Sequence, residues 1–167
     1  MPDARPQTPD PTATAPAPTV PVPDLLAFLA GRWRVTRAAE DRHTGTRGHF
    51  TGTADFTALP GGGLRHHEEG TFTWDGVARP AYRTLRWLPG PGGAGSARVT
   101  FDDGRFFHDL DLRTGHAIAD HPCALDLYQG EFTVSGPDLW SVVWRVAGPA
   151  KDLVLRTEHT REAPSTE

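Results

Sequence analysis

Two periodicities divide this chain. Leu25, Phe28 and Leu29 repeat at helical spacing, with Asp24 before them and Gly31 after. An aspartate there accepts from the free N–H groups of a first turn, and a glycine supplies the stop, so one short helix is predicted. After Gly31 apolar and polar residues alternate with a period of two, the signature of strands buried on one face. Turn residues punctuate the alternation at His43-Thr44-Gly45, Pro60-Gly61-Gly62-Gly63, Asp75-Gly76, Pro89-Gly90-Pro91-Gly92-Gly93, Asp103-Gly104 and Thr114-Gly115. Others fall at His121-Pro122-Cys123, Gly136-Pro137-Asp138 and Gly148-Pro149.

The predicted strands are therefore 32–39, 48–58, 64–74, 78–88, 97–101, 105–112, 116–120, 125–134, 139–146 and 152–159. About ten short strands with no room for crossover helices predict an all-β fold, a single antiparallel up-and-down barrel, with a two-sheet sandwich as the alternative. Alternation groups Phe50, Gly52, Ala54 and Phe56 on one face, and Leu64, His66, Glu68, Gly70, Phe72 and Trp74 on another. Phe106, His108, Leu110 and Leu112 form a third group, and Tyr128, Gly130, Phe132 and Val134 a fourth. Trp140, Val142, Trp144 and Val146 make the most apolar face. With these faces inward, the lumen is aromatic and carries His66, Glu68, His108 and Tyr128 as its polar groups.

Composition narrows the partners. A formal net charge of -4 gives no electrostatic reason to expect nucleic acid or an anionic membrane. A single cysteine, Cys123, excludes an internal disulfide and suits a reducing, cytoplasmic compartment. No run approaches the length of a membrane span, and no secretory signal pattern opens the chain. Residues 1–22 are rich in Pro, Ala and Thr, which predicts a disordered tail before a barrel domain at 23–162. Oligomeric state is left open.

Several residues carry candidate chemistry. His108 on an apolar inward face needs a partner or a ligand to offset its desolvation. His66-His67-Glu68-Glu69 lies in a strand, so its histidine–glutamate pairs face opposite sides, unlike a helical zinc motif. One of the two His/Glu pairs faces inward, and an inward Glu68 has two readings: a general base beside its histidine with a pKa raised by desolvation, or a cross-strand partner of Arg83 or Arg86. Tyr82 and Arg83 on strand 78–88, and Arg105 beyond it, offer groups that orient or bind an anion. Tyr128, Trp140 and Trp144 complete the candidate lining. His121-Pro122-Cys123 is read as a plug at the barrel mouth rather than a metal or nucleophile site, and no metal or cofactor is expected.

A short helix followed by Gly31-Arg32-Trp33 and a chain of hairpins resembles the opening of the calycin superfamily, which includes the lipocalins. In lipocalins the tryptophan closes one barrel end beneath an arginine of the last strand, so the resemblance implies that part for Arg161 or Arg156. Leu29-Ala30-Gly31-Arg32-Trp33, His67-Glu68-Glu69-Gly70, the segment from Phe101 to Leu110, Asp120-His121-Pro122-Cys123 and Trp144-Arg145-Val146 also resemble blocks of an uncharacterised bacterial domain-of-unknown-function family common in actinobacteria. That likeness supports the fold and implies no activity. His159 falls where nitrobindin-like relatives place a haem ligand, a minor reading given its polar neighbours.

Three functions are thus open. A barrel binding a small, partly apolar molecule comes first. A small isomerase, cyclase or hydrolase using His108 and Glu68 is second. An interaction module built on the proline-rich tail is third.

Overall fold

A computed structural model describes residues 17–123, 125–164 and 166, with the side chains of Pro122 and Cys123 outside that set. The expectations for the first sixteen residues and for the Cys123 thiol therefore lie outside the described residues. A five-residue helix, α1 (Leu25–Leu29), begins at Asp24, whose carboxylate accepts from the Ala27 N–H at 3.1 Å. Ten strands follow: β1 (Gly31–Asp41), β2 (Arg47–Ala58), β3 (Leu64–Trp74), β4 (Val77–Gly90) and β5 (Gly93–Phe101). Then come β6 (Phe106–Asp111), β7 (His116–Cys123), β8 (Asp126–Gly136), β9 (Leu139–Gly148) and β10 (Lys151–Arg161).

They form one antiparallel sheet in the order β6-β5-β4-β3-β2-β1-β10-β9-β8-β7. The first strand pairs with the last, so the meander curls into a nearly closed barrel. Its two edges, β6 and β7, lie side by side, and no ladder joins them among the described residues. A His121 ring nitrogen 2.7 Å from the Phe107 carbonyl stitches this seam. β7 includes His121-Pro122-Cys123, which the sequence reads as a break. An edge strand tolerates proline because one side of it has no ladder to complete.

The seam has a second tie. Val20 and Val22 donate backbone bonds to Val134 and Leu112, and Val22 is buried. Both valines fall within residues 1–22, the span that the sequence reads as a tail.

One end of the barrel is sealed. Trp33 is fully buried and donates its indole N–H to the Leu29 carbonyl at 2.8 Å, locking α1 beneath it. The Arg161 guanidinium lies 4.2 Å from the Trp33 ring and donates to the carbonyls of Phe28, Ala30 and Pro137. Arg161, not Arg156, is therefore the closing arginine; Arg156 sits exposed on the outer wall. Above the seal, Phe56, Trp87 and Trp140 meet edge to face at centroid separations of 5.9 to 6.4 Å. Such tilted arrangements suit the ring quadrupoles and fill this half of the lumen.

Glycines make room for the larger rings. A Cβ on Gly130 would come within 2.8 Å of the Trp144 ring, and one on Gly52 or Gly70 within 2.7 or 2.8 Å of the Phe50 ring. The inward faces of β2, β3, β8 and β9 are those expected from alternation. β6 departs from it: the ladder shifts between Val99 and Thr100, so Phe107 is an extra residue. Phe107 turns toward the lumen with His108, and Phe106, expected inside, is 52% exposed.

Replacing Arg161 by Met should cost about 1–3 kcal/mol, since a desolvated cation–π contact and several carbonyl bonds are lost together. Arg156→Met should stay within about 0.5 kcal/mol. Urea unfolding of the two variants measures the contrast.

Candidate functional site

Midway up the barrel an ion cluster forms the floor of the upper lumen. Glu68 on β3 accepts two bonds from Arg37 of β1, at 2.9 and 3.0 Å. Between those strands runs β2, with Phe50 opposite Arg37, Ala54 opposite Glu68 and Gly52 between them, so the arginine reaches Glu68 across the small residues. Arg37 also stacks on Phe50 at 5.1 Å and donates to the Thr157 hydroxyl of β10 at 2.8 Å. From the other side Arg83 of β4, the direct cross-strand neighbour of Glu68, brings its Nε to 3.4 Å.

Glu68 is thus the ion-pair partner that one sequence reading allowed, with Arg83 and not Arg86. Arg86 faces outward and approaches Asp102. The raised carboxyl pKa proposed for a general base is not found. Burial alone would raise it, but the two guanidinium groups outweigh burial and hold the carboxyl below its usual range. A carboxylate with both oxygens engaged by Arg37 is a poor proton acceptor.

Three imidazoles stand around this cluster, all kept neutral. Burial pushes His66 down to about 3 and His108 down to about 4, and it drives His159 well below the ordinary histidine value. The His66 Nδ1 accepts from the Trp87 indole at 3.2 Å, which places the imidazole proton on Nε2. That Nε2 lies 4.0 Å from Glu68, too far for a hydrogen bond. His159 lies flat on Trp140, centroids 3.6 Å apart and planes at 4°. The space enclosed by His66, Arg83, His108, Trp140, Trp144 and His159 is only about 20 Å³, room for one water. A haem macrocycle does not fit beside His159, which corrects that minor reading. Among the described residues no group of three His, Cys, Asp or Glu can hold a metal ion.

The structure therefore brings His66, Glu68, Arg83, His108, Trp140 and Trp144 together, with Tyr128 nearer the mouth beside His121. It does not bring in Tyr82, which is 81% exposed on the outer wall, or Arg105, which pairs with Asp103 in an exposed turn. Both fall outside because β4 and the β5–β6 turn present the opposite parity there. Sequence reasoning missed Arg37 and Phe107. Arg37 shares the parity of Trp33 and Val35, so a charge on an inward face was the available signal. Phe107 had none, because a bulge leaves no trace in alternation.

Residues 29–161 match a family of unknown function, DUF6314. The chain belongs to this family. No protein of curated function matches it. Among solved structures this DUF6314 member is similar to an S-type phycobiliprotein lyase from Guillardia theta, with a TM-score of 0.62 and 10% identity over 84% of this chain and 92% of that one. It is also similar to a DUF3598-family protein of unknown function from Nostoc punctiforme, TM-score 0.58 and 14% identity. That likeness covers 90% of this chain and 53% of the other, so the chain spans about half its length. At these identities the likeness establishes the barrel fold.

Two outcomes follow. Glu68→Gln should destabilise by about 2–4 kcal/mol, because two inward guanidinium groups lose their counter-charge while the Arg83 tip keeps some water. Chemical denaturation at neutral pH measures it. Stability should also fall as pH drops below 6.5, since the unfolded histidines take up protons there and the folded ones do not until about 4 for His108 and about 3 for His66. Each contributes up to about 1.4 kcal/mol per pH unit, and Glu68 adds to the loss below its ordinary carboxyl range. Urea midpoints from pH 7 to 4 check this, and His108→Phe should flatten the slope.

Proposed function

We propose that this protein binds a small, partly apolar molecule in the upper half of its barrel, between the Arg37–Glu68–Arg83 floor and the mouth opposite α1. The observation that carries the reading is Arg83. Its guanidinium faces the lumen and touches Glu68, yet its side chain is 41% exposed. Water therefore reaches the floor from the mouth, whereas Trp33, Phe56 and Trp140 in the lower half are closed off.

The walls above the floor suit such a ligand. Phe72, Phe101, Phe107, Tyr128 and Leu155 pack against the core but remain only partly buried. Phe107 stacks on Trp144 at 5.3 Å and sits 5.0 Å from His121, giving a continuous aromatic wall from floor to mouth. Apolar rings with a few polar groups among them are the usual lining of a small-molecule site. Tyr128 supplies a polar group beside His121 near the mouth. An acid–base enzyme is the weaker reading, because Glu68 is held as an ion-pair anion and His108 is buried and neutral.

The neutral probe N-phenyl-1-naphthylamine, whose emission rises in apolar surroundings, tests the proposal. Saturable enhancement at one probe per chain is expected, together with quenching of tryptophan emission. Ala81→Trp, which fills the inward face of β4 one step above Arg83, should abolish the enhancement while leaving the fold intact by circular dichroism. No enhancement, or enhancement unchanged in Ala81→Trp, would overturn the reading.

A further inference from the structure

Three side chains in the middle of the barrel have polar atoms left unmet. His66 Nε2, Trp140 Nε1 and both ring nitrogens of His159 are buried with no hydrogen-bond partner among the described residues. Each of these residues is at most 2% exposed. A polar group this deep is costly unless a partner offsets its desolvation. The three belong to different strands, β3, β9 and β10, yet all line the same space of about 20 Å³ with Arg83 and His108.

The chemistry of these atoms selects an acceptor. Trp140 Nε1 can only donate. His66 Nε2 carries the imidazole proton, because Nδ1 already accepts from Trp87. A neutral His159 adds one donor and one acceptor. Among the four unmet atoms, donors therefore outnumber acceptors three to one. Charge points the same way. Arg37 and Arg83 face the lumen against Glu68 alone, and Arg37 binds both oxygens of that carboxylate. With the imidazoles neutral, the surroundings of the space carry an excess positive charge. Arg83 both lines the space and reaches water, its side chain being 41% exposed, so it draws an anion inward.

We propose that this space binds one monatomic anion, a halide such as chloride, held by the N–H groups of His66, Trp140 and His159. Room for one water is room for a one-atom ion, and it excludes oxyanions such as sulfate and phosphate. The bound halide ties β3, β9 and β10 at one level and neutralises the excess charge. This site goes beyond the lumen-binding reading and does not depend on it.

Bromide is the probe, because it quenches tryptophan on contact and Trp87, Trp140 and Trp144 line the space. It is titrated into the full chain at pH 7 and constant ionic strength, with gluconate as the balancing anion. Quenching should contain a saturable part that chloride reverses, and sulfate should neither cause nor reverse it. His159→Phe, which keeps a ring on Trp140 and all five tryptophans, should weaken bromide at least about 10-fold, the loss expected for a hydrogen bond to a charge. If circular dichroism shows that variant unfolded, Trp140→Phe, which loses one N–H and keeps a ring, replaces it, with chloride NMR line broadening as the readout. Quenching that stays linear with bromide, that chloride does not reverse or that sulfate matches overturns the site, as does unchanged affinity in the folded variant. The naphthylamine titration is independent of all these outcomes, so lumen binding stands or falls separately.

Discussion

A sheet of ten strands curled onto itself encloses more space than side chains readily fill. Eight strands already give an interior just wide enough to pack or to hold one small ligand. Most of this molecule's internal features answer that constraint. The lower lumen is filled with the largest side chains available, Trp33, Phe56, Trp87 and Trp140, tilted against one another. Glycines opposite the bulkiest rings, Gly130 beneath Trp144 and the Gly52–Gly70 pair beneath Phe50, let them lie against the wall. Rings alone do not fill the upper lumen, and there the solution becomes polar.

The Arg37–Glu68–Arg83 cluster marks the boundary between the two solutions. It links β1, β3, β4 and, through Thr157, β10, so it braces the barrel across its width. Burying charge is costly, and the cluster persists because Glu68 has both oxygens bound and Arg83 keeps one edge in water. The cluster is therefore a brace that is buried on one side and hydrated on the other.

The seam between β6 and β7 is the other consequence of curling the sheet. Its edges have no shared ladder among the described residues, so side chains and the N-terminal strap do the joining: His121 to the Phe107 carbonyl above, Val20 and Val22 below. Edge strands left bare invite pairing with other chains. Here they face each other, and Phe107, the bulged residue of the seam, is also part of the aromatic wall.

The sequence by itself determined the architecture. Alternation is a local property, and hairpin glycines and Asp-Gly turns act on neighbours, so the strand count, the short capped helix and the inward parity of His66, Glu68, His108, Trp140 and Trp144 were legible residue by residue. The resemblance in Gly31-Arg32-Trp33 located the sealed end and narrowed its arginine to two. Tertiary structure decided the rest, because it depends on partners far apart in the chain. Which arginine reaches Trp33 required the β1–β10 register. That Arg37 crosses β2 to bind Glu68 required small residues on the intervening strand of a curved sheet. The bulge that exchanges Phe106 for Phe107 required the facing strand β5. The lowered pKa of Glu68 required two guanidinium groups from strands on either side. Parity placed charges on the inner face, and only closure of the barrel decided which of them meet.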